Sequence, residues 1–264
     1  MTEDYSRVIS IQSGKGGVGK TTLSINLAVA LSKIYEKRVL LIDANITTSH
    51  VGLFLGKYTF PQTVTLDKLL KKTAYPHSLY EFHQNFSILP SPLFFSKVSK
   101  KADIVKLQKI IPKIRKDFDV ILIDSAPGIG KEALASYMAA DEVLFVTLPY
   151  VPAVIDILRW KEVMEEITKP NVGIVLNMVQ NLSFELKQKE VEKITGLPVI
   201  EKIPMDKSVL KSLSLGSPVV LEYPNSKASK AIKNVARYIV DKEFFLEEEP
   251  FWKRWFSRFK SLQI

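Results

Sequence analysis

Gly14-Lys15-Gly16-Gly17-Val18-Gly19-Lys20-Thr21 is the segment that most narrows what this 264-residue chain can become. It satisfies G-x-x-x-x-G-K-[ST], follows the run Ile9-Ser10-Ile11-Gln12-Ser13 and opens a stretch of helical period. Glycines there let the backbone wrap closely enough for its N–H groups to cradle phosphate oxygens, and the helix that follows adds the positive end of its dipole. In such a loop Lys20 reaches the β- and γ-phosphates of a nucleotide, and the Thr21 hydroxyl binds Mg2+.

The rest of the chain alternates short β-branched runs with longer helical patterns, which predicts α/β units around a mostly parallel central sheet flanked by helices, the three-layer P-loop NTPase fold. Strands are expected at Arg7–Gln12, Arg38–Ile42, Phe86–Leu89, Val120–Ile123, Glu142–Thr147, Val172–Asn177 and Val199–Ile203. Helices are expected near Lys20–Tyr35, Ala102–Lys116, Lys131–Ala140, Ala153–Ile167, Phe184–Thr195, Lys207–Leu215 and Ser226–Phe245. Asp43 and Asp124 end two of these strands on the edge that carries the phosphate loop, where open α/β sheets bind ligands. Carboxylates there contact Mg2+ or orient its waters, and the same positions also suit turn capping after a strand.

Lys15, directly after the first glycine, gives the string K-G-G-V-G-K-T-T over residues 15–22. This resembles the deviant Walker A box of the Min/ParA family of dimeric ATPases, whose second, signature lysine crosses the dimer interface to the partner's nucleotide. The resemblance implies that ATP joins two subunits, with Lys15 acting in trans and Lys20 in cis, and that residues 14–22, Thr22 included, hold the nucleotide. It runs along almost the whole chain. Leu41-Ile42-Asp43-Ala44-Asn45 sits where the family has its first switch, and Ile121 to Ile129 resembles the second. The segment Ile203-Pro204-Met205-Asp206-Lys207-Ser208 is similar to the MinD segment that closes over the base, so Pro204 and Asp206 are implied nucleotide contacts. Asn177, at a strand end, is a candidate for hydrogen bonding adenine, or else a turn residue.

One position departs from the family. The first switch usually reads Asp-x-Asp, the second Asp polarising the attacking water, and here that position is Asn45. An amide holds a water in line but takes no proton at neutral pH. Phosphoryl transfer depends mostly on positioning and electrostatics, so the expectation is slowed hydrolysis and a long-lived ATP dimer. His50, later in the same loop, is either a helper or a solvated side chain.

Charge separates two further regions. The chain carries a net +9, yet residues 67–116 hold eleven basic and three acidic side chains, and residues 250–264 hold four basic and none acidic. At about 100° per residue, Phe251, Trp252, Trp255, Phe256, Phe259 and Leu262 fall in one arc of about 140°, with Lys253, Arg254, Arg258 and Lys260 outside it. Such a helix is too short to span a bilayer and suits the interface, aromatics below the headgroups and cations on anionic lipid. It resembles the C-terminal membrane-targeting helix of the MinD branch; docking on its own domain or a partner protein is the alternative. Residues 1–246 are therefore read as the ATPase domain and 247–264 as an acidic linker with a membrane helix. The basic stretch 67–116 is read either as a solvated helix face or as a phosphate-backbone contact like that of ParA-type DNA segregation ATPases.

The chain has no cysteine, which removes thiolate metal sites and argues against the cluster-scaffold, nitrogenase-type, nickel-insertion and tail-anchored-protein branches that use them. The last tyrosine is Tyr238, so the C-terminal tyrosine cluster of the related kinases is missing. A flagellum-number regulator of MinD type stays open. The expectation is a Mg2+-ATP-dependent, dimerising, cytoplasmic and peripherally membrane-bound ATPase that positions a partner system. Its alternatives are a ParA-like DNA-binding ATPase or a nucleotide-clamped scaffold that hardly turns over; partner and activator are unnamed.

Overall fold

In the computed structural model, residues 6–60, 65–72, 79–94, 102–167 and 170–241 are described. Eight strands, β1 (Arg7–Gln12), β2 (Val39–Asp43), β3 (Tyr80–His83), β4 (Phe86–Leu89), β5 (Val120–Asp124), β6 (Glu142–Thr147), β7 (Asn171–Val179) and β8 (Val199–Pro204), form one sheet in the order β3-β4-β2-β5-β1-β6-β7-β8. Every neighbouring pair is parallel except β3 with β4. The helices are α1 (Lys20–Ile34), α2 (Val51–Phe54), α3 (Leu66–Lys72), α4 (Leu107–Ile114), α5 (Lys131–Ala139), α6 (Val151–Ile167), α7 (Gln188–Thr195), α8 (Lys207–Ser214), α9 (Val219–Glu222) and α10 (Lys227–Asp241).

Alternation along the strands sorts their side chains into two layers. Ile9 and Ile11 of β1, Leu41 of β2, Leu122 of β5 and Val146 of β6 join α1 and α10 on one face. Val8, Leu40, Ile42, Ile121 and Ile123 join α3, α4 and part of α5 on the other, continued by Val143, Phe145, Ile174 and Leu176 with α6 and α7. Both faces are covered, so the central strands read as continuous apolar runs, and the phosphate loop sits at their C-terminal edge between β1 and α1.

All seven expected strands form, and the differences elsewhere have local causes. β3 is an antiparallel edge strand whose sequence, Tyr-Glu-Phe-His, is only half-buried, so it lacks the apolar run that marks the others. The helix expected from Phe184 begins only at Gln188, because the Glu185 carboxylate gathers the N–H groups of Gln180, Asn181 and Leu182 into a turn in which Asn181 has φ 62°. The expected Ala102–Lys116 helix narrows to α4, flanked by 3-10 turns at Ile104–Lys106 and Arg115–Asp117, and Pro112 removes one of its backbone donors. α6 starts at Val151, two residues before the expected Ala153, since Pro152 is tolerated in a first turn. Among the described residues no helix is long and apolar enough to cross a membrane. The expected linker and tail, 247–264, lie outside the described residues, as do Lys97, Lys100 and Lys101.

Candidate active site

The loop between β1 and α1 is held by contacts that only glycine permits. A Cβ on Gly14 would lie 2.0 Å from the Asp156 Cβ of α6. Gly19, at φ 86°, is left-handed, and a Cβ there would meet the Asn177 amide nitrogen at 2.2 Å. The Asn177 Nδ2 donates to the Val18 carbonyl at 2.8 Å, so this strand-end side chain braces the phosphate loop. It is aimed there at the end of β7, where the register with β8 shifts between Leu176 and Val179 and Met178 has φ 55°. Gly128 N–H donates to the Ser13 carbonyl at 3.0 Å, tying the loop after β5 to the same loop. Val18 is buried, whereas Lys15, Gly16 and Gly17 are exposed, and Lys15 has no ion pair among the described residues.

Lys20 points the other way. Its buried Nζ lies 3.2 Å from Asp124 Oδ1 and also donates to the Ser125 carbonyl. Thr21 Oγ1 donates to Asp124 Oδ2 at 2.7 Å and Ser24 Oγ to Oδ1 at 3.0 Å. Asp124 is the register partner of Asp43 across β5 and β2, so two buried carboxylates sit side by side at the sheet edge. Burial first, and the Asp124 charge second, push the Asp43 carboxyl up to about 7, against hydrogen bonds from Ser49 Oγ and the Asn45 and Val51 N–H groups.

This donor set fits a magnesium ion. Thr21 supplies a hydroxyl and Asp124 and Asp43 carboxylates, while Lys20 is paired with Asp124, leaving the buried Asp43 without a cation among the described residues. Two carboxylates and a hydroxyl suit an ion that takes one or two carboxylates and completes its shell from phosphates and water.

The loop after β2 is built from short polar contacts. Asn45 is 8% exposed, and its Oδ1 accepts from both the N–H and the hydroxyl of Thr48 at 3.1 Å. Thr47 donates to Glu132 of α5 at 2.8 Å, and burial raises the Glu132 carboxyl above its ordinary range. His50 is exposed beside Phe54 at the start of α2. Pro204 closes β8, and Asp206 caps two helices at once: Oδ1 accepts from Ser208 N–H at 2.9 Å and Oδ2 from Ala228 N–H at 3.1 Å. Burial would raise this carboxyl, but those N–H groups outweigh it and lower it. Thr22, half-buried on α1, accepts at its carbonyl from Asn26, whose Oδ1 in turn takes the Val220 N–H of α9.

Several contributors carry no motif. Ser125 Oγ lies 2.7 Å from both the Ile11 carbonyl and Gln12 Oε1, and Gln12 Nε2 donates to Ala133 of α5. Ser49 and Ser91 orient Asp43, the latter by donating to its carbonyl at 2.7 Å. Ser24, one turn after Lys20, is the member of this group that helical spacing could have flagged.

A ParA family model, described as NUBPL iron-transfer P-loop NTPase, matches residues 4–240. The chain belongs to the ParA/MinD family of P-loop NTPases. This member is 34% identical to an uncharacterized ATP-binding protein of Methanocaldococcus jannaschii over 236 residues, 89% of this chain and 88% of the relative. It superposes with a TM-score of 0.83 on the cell division ATPase MinD of Pyrococcus furiosus, at 32% identity, covering 89% of this chain and 99% of that one. It matches with the same TM-score the septum site-determining protein MinD of Pyrococcus horikoshii complexed with Mg-ADP, at 29% identity, covering 93% and 100%. The ParA/MinD fold therefore extends over β1 to α10, and this member is a P-loop ATPase.

Proposed function

We propose that this ParA/MinD ATPase uses Mg2+ and ATP to join two copies of itself and, in that state, rests on an anionic membrane surface to position a partner system. The observation that carries the reading is the opposite fate of two lysines five residues apart in one loop. Lys20 is buried against Asp124, placed to serve the nucleotide of its own subunit, and Lys15 is exposed and unpaired among the described residues, free to serve another's. Bound Mg2+ supplies charge neutralisation for the β- and γ-phosphates, with Thr21, Asp124 and Asp43 as its holders. Lys20 and the loop N–H groups bind and orient the phosphates, Asn177 fixes the loop, and Pro204 and Asp206 shape the segment beside the base. Asn45 orients water without accepting its proton, which makes hydrolysis slow.

The domain division follows: residues 1–246 as the ATPase and 247–264 as linker and amphipathic membrane helix. One short helix binds lipid weakly, and dimerisation supplies a second at high effective concentration, so ATP controls attachment. The MinD names of its relatives favour cell division as the positioned system. The iron-transfer description of the family model does not carry over by thiolate chemistry, since this chain has no cysteine. Vesicle flotation tests the membrane reading: the full chain should float with ATP and much less with ADP, and a chain ending at Glu249 should stay behind in both. Equal flotation with and without the tail overturns it.

A further inference from the structure

Folding gathers the described lysines of residues 67–116 onto one surface. Lys106, Lys109, Lys113 and Lys116 recur at intervals of three and four along α4 and its flanking turns, while Leu107, Ile110, Ile111 and Ile114 turn into the core. α3 lies beside them over the same core on Leu66, Leu69 and Leu70 and presents Lys68 and Lys71 outward. The acids nearby do little to offset this. Among the described residues Asp67 is buried, Asp103 pairs with Lys131 of α5 at 3.4 Å, and Asp117 lies in the 3-10 turn after α4.

Folding alone does not account for the stripe. Lys113 and Lys116 lie at the C-terminal end of α4, where cations suit the helix dipole, but Lys106 and Lys109 lie at its N-terminal end, which has no acid and where cations oppose the dipole. Like charges one turn apart also repel. An external polyanion relieves both costs.

Position says which polyanion. The Arg115 guanidinium donates to the Ser6 carbonyl and pairs with Asp141 at 2.9 Å, and the Arg7 guanidinium donates to the Ile239 carbonyl near the end of α10. The turn after α4, the start of β1 and the end of α10, the last described element before the aromatic tail in sequence, thus meet at the pole opposite the phosphate loop. The stripe runs about 15 Å up the flank from that point. Among the described residues the stripe consists of lysines, hydrated point charges on a convex helix, and the neighbouring Arg115 is engaged by Ser6 and Asp141 and not turned out to clasp a duplex.

We propose that the α3–α4 lysine face is a second membrane contact, binding anionic phospholipid headgroups beside the C-terminal helix; this rests on the membrane reading above. The aromatic tail gives depth of insertion, and the lysine face makes binding depend on anionic lipid and orients the ATPase body.

The test compares the full-length protein with its Lys106→Gln, Lys109→Gln, Lys116→Gln triple variant in Mg-ATP on phosphatidylcholine vesicles with and without about 30% phosphatidylglycerol. Glutamine keeps helix propensity, so thermal unfolding should match between the two proteins. Each lysine near the surface contributes about fivefold (about 1 kcal/mol), so affinity for the anionic vesicles should fall tenfold or more, with little change on the neutral ones. Equal affinity of both proteins for anionic vesicles overturns the proposal. So does a duplex-DNA gel shift that the substitutions abolish while vesicle binding is unchanged. The tail reading is scored separately by the chain ending at Glu249; should that chain float as well as the full one, the same three substitutions within it still decide the lysine claim.

Discussion

Replacing Asn45 by Asp should speed ATP hydrolysis. The Asn45 Oδ1 accepts from the N–H and hydroxyl of Thr48, both at 3.1 Å, and a carboxylate in the same pose accepts both equally well. Loop geometry is therefore kept, and what changes is the arrival of a proton acceptor. A general base is worth about 10²–10⁴-fold, but the amide already performs the positioning share, so the gain in kcat should be about 10–100-fold. The substitution also places a third acid beside Asp43 and Asp124 at a position 8% exposed, so stability should fall by about 1–3 kcal/mol. Phosphate release at saturating Mg-ATP gives the rate, with ATP affinity and dimer fraction measured separately. A base works only when deprotonated, so the variant's rate should also decline as pH falls through the new carboxyl's pKa, adding a limb to the parent's profile. An unchanged kcat with intact binding and dimerisation refutes the claim that Asn45 is the brake.

Other consequences concern the frame around the site. Arg7 and Glu142 form a buried bidentate pair at 2.7 and 2.9 Å, so Glu142→Ala should cost about 3–5 kcal/mol by stranding the guanidinium; a loss under about 1 kcal/mol in urea unfolding contradicts this. Asp206→Ala removes the cap of both α8 and α10 and should cost about 1 kcal/mol at neutral pH. Because the folded-state pKa of Asp206 is lowered, its contribution is full above the ordinary carboxylate range and is lost as pH falls through the folded value. The melting-temperature gap between parent and variant should therefore close on acidification, and a constant gap contradicts the assignment.

How legible the site was depended on whether a residue's role is local. The phosphate loop is a continuous string whose glycines and lysines act within a few residues of each other, and Asp43 and Asp124 were visible because each ends an apolar run. Asn177 was legible as a strand-end candidate for contacting adenine, or a turn residue. That its amide braces Val18 depends on a register shift and a left-handed Met178 that no periodicity encodes. Ser125, Gln12, Ser49 and Ser91 act across strands far apart in sequence and look like ordinary small polar residues. β3 was missed because an edge strand needs few apolar residues, and the late start of α7 because Glu185 spends its charge on a turn. The lysine excess was legible as a sum; its gathering onto one flank needed the fold.

The claim that ATP joins two copies, each lending Lys15 to the other's nucleotide, is tested most directly by mixing two inactive variants. Lys15→Ala and Lys20→Ala proteins should each be nearly without ATPase activity. In a mixed dimer the intact Lys20 of one subunit meets the intact Lys15 of the other, rebuilding one site, so an equal mixture with random pairing should recover about a quarter of parental turnover. A mixture no more active than the two variants measured apart would place both lysines in the same subunit's site and contradict the account.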